Sequence, residues 1–458
     1  MNPRNRFSHI TRRRSSLRCA LLSLCVVAAG VWRAPAPASL PRAQAQSLSF
    51  DRERGRVMLG QIKSDLKKHY YDPTLHGLDV DARFRQAEEE IKRAATLGQI
   101  TAAIAQALLD LNDSHTFFLP PTQSTHVDYG WEMQMIGDKC YVIAVRPGSD
   151  AAAKGLKAGD RVLSVNGFAP TRADLWKMKY YYQALSLQTG LAVVAQSPGA
   201  AERALALAAR VRSGPVVYQS GTLEINLEDE KYRRQFKDAH RYYTVGEDLL
   251  IWRMSRFNLT KDGVDDMMNK ARRKRALILD LRGNGGGAEE TLLRLIGNFF
   301  DRDIKVGDIK RRTETKPLVA KTRGGDIFKG TLVVLLDSAS GSAAEVFARV
   351  VQLEKRGTVI GDRSAGAVMR SRTYFHSVGP DSAIFYGASI TDADLIMTDG
   401  KSLEHTGVVP DKLLIPGGIH LATGRDPALA YAAGILDAPL DAAKAGALFP
   451  FVWYDDIP

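Results

Sequence analysis

The stretch LVVLLDSASGSAAEVFARVV (residues 332–351) decides how the chain is read. It begins as an apolar run, breaks into small residues that include Ser338, Ser340 and Ser342, and ends with apolar residues at helical spacing. A buried strand that passes through a tight loop into a helix is the repeating unit of an α/β layer. Ser342 stands three residues ahead of Glu345, the Ser-x-x-Glu pattern of a capping box, so the stretch by itself allows that serine to be a helix cap or a nucleophile.

The same unit recurs on either side. ALILDLRGNGGGAEETLLRL (residues 276–295) sends a strand-like run through Gly283, Gly285, Gly286 and Gly287 into a second helical pattern, and DLLIWRM, GVDDMMNKARRK and RGTVIGD continue the alternation. Strands alternating with helices predict an α/β core with a largely parallel sheet over residues 241–418. Successive glycines let backbone N–H groups converge on a negative oxygen. Gly283, Gly285 and Ala288 fit the G-x-G-x-x-A dinucleotide pattern, but the ribose-binding acid is missing from the end of the next strand and no Gly-Lys-Ser/Thr follows. An oxyanion hole for acyl transfer is the better use of this loop.

Length and composition set the frame. With 458 residues, 45% of them hydrophobic, the chain is long enough for two or three domains. Of its formal charge of +12, residues 1–45 carry eight arginines and no acidic residue, so the remainder is only mildly basic and gives no ground for nucleic-acid binding. Those 45 residues have the pattern of an export signal: arginines through Arg18, the apolar run CALLSLCVVAAGVW, and a Pro/Ala-rich stretch ending in Ala43-Gln44-Ala45, after which cleavage is expected. The alternative is an uncleaved anchor; no later segment reads as membrane-spanning. Cys140 would be the one cysteine of the mature chain, which excludes an internal disulfide, and the expected location is a bacterial periplasm. The nine histidines show no metal-ligand spacing, so no metal or other cofactor is expected.

Residues 46–122 read as an N-terminal helical module, closed by LNDSHTFFLPP, where Pro120 and Pro121 stop any helix. Residues 213–240 form a polar connection and 419–458 a C-terminal segment. Between module and connection, PGSDAAAKGLKAGDRVLSVNG carries strand-like runs around glycine turns, and residues 125–212 resemble a PDZ domain. The resemblance implies that an extended peptide adds to a sheet edge, with backbone N–H groups at Tyr129-Gly130-Trp131 receiving its terminal carboxylate.

LDLRGNGGG, VVLLDSASGSAAEVFARVVQ, TVIGDRSAGA and LEHTGVVPD, taken with LNDSHT and the PDZ-like region, resemble the C-terminal processing, or tail-specific, serine peptidases, a family that includes the core of tricorn protease. The resemblance covers nearly all of residues 55–415 and implies a ClpP/crotonase-like catalytic core with an inserted PDZ domain. It places the nucleophile at Ser342 and leaves Ser338 and Ser340 structural. The amide of Ala343 would be one oxyanion donor and Gly285 or Gly286 the other, a choice the sequence leaves open. The better-known branch takes the serine's proton with a lysine, but Ala367 stands at that position. Tricorn-like members use a histidine from a Ser-His pair, which falls on Ser114-His115, with a glutamate that falls on Glu404; an imidazole titrating near 6.5 suits the task. His405 is a rival imidazole. The expectation is an exported serine endopeptidase acting on protein or peptide substrates selected through the PDZ domain, with no oligomeric state specified. The alternative is an inactive PDZ-containing peptide-binding protein on a peptidase scaffold.

Overall fold

A computed structural model describes residues 42–121, 125–213, 240–379 and 383–453. Most of the expected export signal, residues 1–41 of 1–45, and nearly all of the expected 213–240 connection lie outside the described residues.

The predicted parallel sheet is present. Its six strands run in the order Lys412–Leu413, Thr358–Gly361, Thr331–Leu336, Ala276–Asp280, Leu249–Met254, His240–Val245, and every pairing is parallel except the last. Neighbouring residues of one strand face opposite ways, and both faces are apolar. Leu250, Trp252, Leu277, Leu279, Leu332 and Val334 pack with the helices Lys261–Arg272, Glu289–Gly297 and Ala343–Leu353. Leu249, Ile251, Ile278, Val333 and Leu335 pack on the other face with the helix Pro427–Gly434. The register Ile251↔Ile278↔Val333 keeps each face continuous across the central strands.

A second sheet is antiparallel. It pairs the long strand Ile384–Met397 with Met369–Val378, Ile304–Lys310 and the short strand Phe117–Leu119, and Ile304–Lys310 pairs onward with Thr315–Ala320. The helices Arg42–His69, Val80–Arg93 and Leu97–Leu109 share a core with Phe118, Ala388 and Ile390 of this sheet. The last of these helices ends at Leu109, well before the prolines that the sequence marks as its stop, because Phe117–Leu119 is drawn into the sheet with Phe118 fully buried. LNDSHT leads directly into that strand and so lies beside the antiparallel sheet.

Residues 131–208 contain a third, five-stranded antiparallel sheet in which Trp131–Ile136 is an edge strand. The edge strand is tied to the α/β core at one end. Ser338 Oγ donates to Met135 O, Gln134 Nε2 donates to Asp337 at 2.7 Å, and Arg172 bridges Gly137 O and the Asp362 carboxylate.

Candidate active site

Ser342 is the cap of the helix Ala343–Leu353, and its backbone lies in the left-handed region at φ 53°, ψ −121°. For a residue with a Cβ this conformation costs about 1–2 kcal/mol, and strain of this kind collects at functional positions. Ser342 N–H is shared between Ala367 O (2.8 Å) and Glu345 Oε2 (2.9 Å), so the glutamate half of the expected capping box is made through the backbone. Among the described residues the Ser342 hydroxyl makes no cap hydrogen bond.

The glycine loop closes against this serine. Gly286 has φ +98°, and a Cβ there would sit 2.5 Å from Ser342 Cβ, so only glycine lets the two segments meet. Asn284, fully buried, fixes the loop: its Nδ2 donates to Met254 O, its Oδ1 accepts from Gly286 N–H, and its carbonyl accepts from Gly341 N–H. Of the expected oxyanion donors, Gly286 N–H is therefore engaged. Among the described residues, the N–H groups of Gly285 and Ala343 have no protein acceptor.

Glu345 is buried, and its two oxygens accept from Ser342 N–H, Ser364 Oγ (2.6 Å), Gly366 N–H (2.7 Å) and Ala367 N–H (2.9 Å). It thereby fastens the Ser342 backbone to the 364–367 loop. Burial pushes this carboxyl up to about 7 against those four hydrogen bonds. Ser340 is also buried, donating to Leu281 O and accepting from Asp337 N–H.

LNDSHT folds as a turn ahead of the short strand. Asn112 takes a left-handed φ of 51°, which asparagine tolerates, and Asp113 Oδ1 accepts from the N–H groups of His115 (2.8 Å) and Thr116 (3.0 Å), an Asx-type turn. Ser114 and His115 are then brought together with Glu404. Ser114 Oγ donates to Glu404 Oε2 (2.9 Å) and lies 2.8 Å from His115 Nδ1, while Ser114 N–H donates to Glu404 Oε1 (2.9 Å). Val368 N–H donates to Glu404 Oε2 (2.8 Å), which links the carboxylate to the loop that holds Ser342. With Glu404 ionised, the Ser114 hydroxyl donates to it and accepts from Nδ1–H, the tautomer that leaves Nε2 unprotonated. Burial lowers the His115 pKa, with Asp113 opposing, and burial raises that of Glu404 against the hydrogen bonds of Ser114. The rival His405 is half exposed, with Nε2 directed at Asn112 O (2.8 Å).

Ser114, Gly283, Gly285, Gly341 and Ala367 line a cleft of about 1420 Å³ whose other wall is the edge strand Trp131–Ile136 and the residues Leu175 and Trp176. Ser342 and His115 are half-buried and adjoin these lining residues in sequence. At the expected carboxylate loop, Gly130 N–H donates to Asp128 Oδ1 (2.8 Å), and Tyr129 and Trp131 are buried. The Trp131 indole N–H lacks a protein acceptor among the described residues. Cys140 is buried, which pushes its thiol up to about 12. No metal-binding cluster of His, Cys, Asp and Glu occurs among the described residues, and no described helix is long and apolar enough to cross a membrane.

Residues 248–414 match the model of peptidase family S41, and residues 123–177 match that of the PDZ domain. Residues 248–414 are thus similar to the S41 peptidases. Its relatives include the tail-specific protease of Haemophilus influenzae, 24% identical over 65% of this chain and 43% of that protein, and the chloroplastic C-terminal processing peptidase of Tetradesmus obliquus, 26% identical over 76% and 74%. The chain thus spans less than half of the Haemophilus protein. A putative tricorn protease homolog of Streptomyces coelicolor is 24% identical over 80% of this chain and 30% of its own length. Mature CPAF has the same fold, with a TM-score of 0.60 at 13% identity over 81% of this chain and 94% of that one. The chain is thus similar to serine-type peptidases of family S41 over its α/β core and to PDZ domains over residues 123–177, behind a helical N-terminal region.

Asp113 and the loop-fastening role of Glu345 escaped the sequence reading. The Asp-Ser-His order was the available signal for the first, since an aspartate just ahead of a strand commonly caps the next two amides.

Proposed function

We propose that this protein is an exported endopeptidase that hydrolyses peptide bonds through an acyl-enzyme on Ser342, with His115 as general base. The observation that carries the reading is the Glu404–Ser114–His115 relay, which leaves Nε2 as a free base and needs no lysine. Ser342 Oγ attacks the scissile carbonyl carbon as Nε2 takes its proton. The same proton then passes to the leaving amine, and water attacks the resulting ester with His115 again acting as base. The developing oxyanion is met by the N–H groups of Ala343 and Gly285; Gly286 serves as the space that lets the loop approach. Glu404, raised but hydrogen-bonded from three sides, orients Ser114 and through it the imidazole.

Substrate reaches this centre along the cleft, as an added strand on the edge of Trp131–Ile136. The engagement of Gly130 N–H with Asp128 moves the weight of recognition from the chain terminus to the edge strand. The N-terminal 45 residues direct export to the periplasm. Labelling with a fluorophosphonate and mapping the adduct tests the reading: an adduct on Ser342 is expected, and one on Ser338 or Ser340, or none on active enzyme, overturns it.

A further inference from the structure

We infer that Asp113 is a positioning residue for the base: it fixes the His115 backbone and supplies a negative charge close to the imidazolium as it forms. The inference rests on His115 as the base.

Asp113 is 4% exposed and accepts hydrogen bonds from four donors: Tyr70 Oη (2.9 Å), Thr391 Oγ1 (2.7 Å), and the N–H groups of His115 and Thr116. Three separate elements therefore converge on one carboxylate. Tyr70 follows the helix Arg42–His69, Thr391 lies in the strand Ile384–Met397, and His115 enters the strand Phe117–Leu119. Thr116 Oγ1 donates to Thr391 Oγ1 and accepts from Thr391 N–H, so the turn cannot rotate without breaking that cluster. Hydrogen bonds satisfy the oxygens, but among the described residues no lysine or arginine forms an ion pair with Asp113. A buried carboxylate with no cation beside it stabilises whatever positive charge arises nearby. The imidazole of His115 is where one would arise, and Asp113 acts on it to favour the protonated form.

The other groups around this imidazole do not replace that charge. Glu404 is reached only through Ser114, and His405 from the same loop is spent on Asn112 O. Tyr70 and Tyr71 stay neutral because burial raises both, His76 is held by Tyr71 Oη and Leu111 O, and burial also favours the neutral form of Asp394.

The test compares Asp113→Asn with Asp113→Glu. The amide keeps an acceptor for the two turn amides but removes the charge; the glutamate keeps the charge at the cost of placement. For Asp113→Asn, kcat is expected to fall on the order of ten- to a hundredfold with little change in KM, and the acid limb of kcat/KM moves to lower pH because the protonated imidazole has lost a partner. For Asp113→Glu the limb stays where it is in the parent while kcat falls. Selective ¹³C labelling of histidine and NMR titration of His115 reads the same shift without turnover. That titration separates a failure of this inference from a failure of His115 as base, which would show as near-normal activity in His115→Ala. Should Asp113→Asn fail to fold, Asp113→Ser supplies a neutral variant that can still accept from the turn amides. A neutral variant with lower activity but unchanged limb and unchanged His115 titration reduces Asp113 to a structural residue and overturns the inference.

Discussion

Glu345→Gln separates two opposed effects on one buried carboxyl. Burial raises this group from 4.5 to about 7 although four donors point at it. Between those two values the folded chain holds a proton that the unfolded chain has lost. Stability therefore falls as pH rises through that window, by about 3 kcal/mol in all. Glutamine does not titrate, so the variant lacks this slope. It carries a separate penalty that does not vary with pH: its NH₂ group must face either Ser364 and Gly366 or Ser342 and Ala367, and each donor left facing it costs about 1–3 kcal/mol. The wild type should thus exceed the variant most at pH 5 and least at pH 8. Urea unfolding followed by tryptophan fluorescence, in a Ser342→Ala background that prevents self-digestion, measures the difference. Parallel stability profiles for the two chains would refute the reasoning, because the carboxylate would then be ionised throughout and its four hydrogen bonds would outweigh burial. In the Ser342-containing pair the variant should also turn over more slowly, since the carboxylate fastens Ser342 N–H to the 364–367 loop.

Ser342→Ala should abolish hydrolysis while changing stability by less than about 1 kcal/mol, since the hydroxyl makes no cap bond; a collapsed fold would restore the capping role. His115→Ala should lower turnover about 10³-fold or more, and Ser342→Ala/His115→Ala should be hardly worse than either single change; additive losses would show that the two do not act as a unit. Because burial lowers the His115 pKa, the acid limb of kcat/KM should lie below the ordinary histidine value near 6.5, and a limb above it would contradict His115 as the base. Gly286→Ala should cost on the order of 10²-fold in turnover with the fold retained, as its Cβ would push against Ser342, and wild-type activity would show that the loop yields freely.

The parallel sheet was legible because its strands are covered on both faces and so read as unbroken apolar runs, LVVLL and ALIL being the clearest. The antiparallel sheet was not. Met369–Val378 is largely polar and only partly buried, and Phe117–Leu119 is too short to show a period, so its membership depends on Phe118 finding Ala388 and Ile390 from far along the chain. The same distance explains why LNDSHT was read as the close of a helical module. The strand that follows it, Phe117–Leu119, forms against a partner more than 250 residues away.

At the site, residue types were legible and proton accounting was not. Ser342, His115, Ser114 and Glu404 can be picked from motifs, yet a motif does not say which nitrogen of an imidazole is free or which amide in a glycine run is spent. Both answers come from second partners. Gly286 is removed as a donor by the side chain of Asn284, two residues earlier, and in the proposed mechanism Nε2 is free when Ser114 donates to an ionised Glu404. The missing lysine follows the same logic. With Ala367 in that place, the loop offers Ser342 only backbone and offers Glu345 backbone and the Ser364 hydroxyl, so the proposed mechanism draws its base from outside the loop. Asp113 joins three elements at one buried carboxylate directly beside that base, and in the proposed mechanism this network is the counterpart of the alanine at position 367.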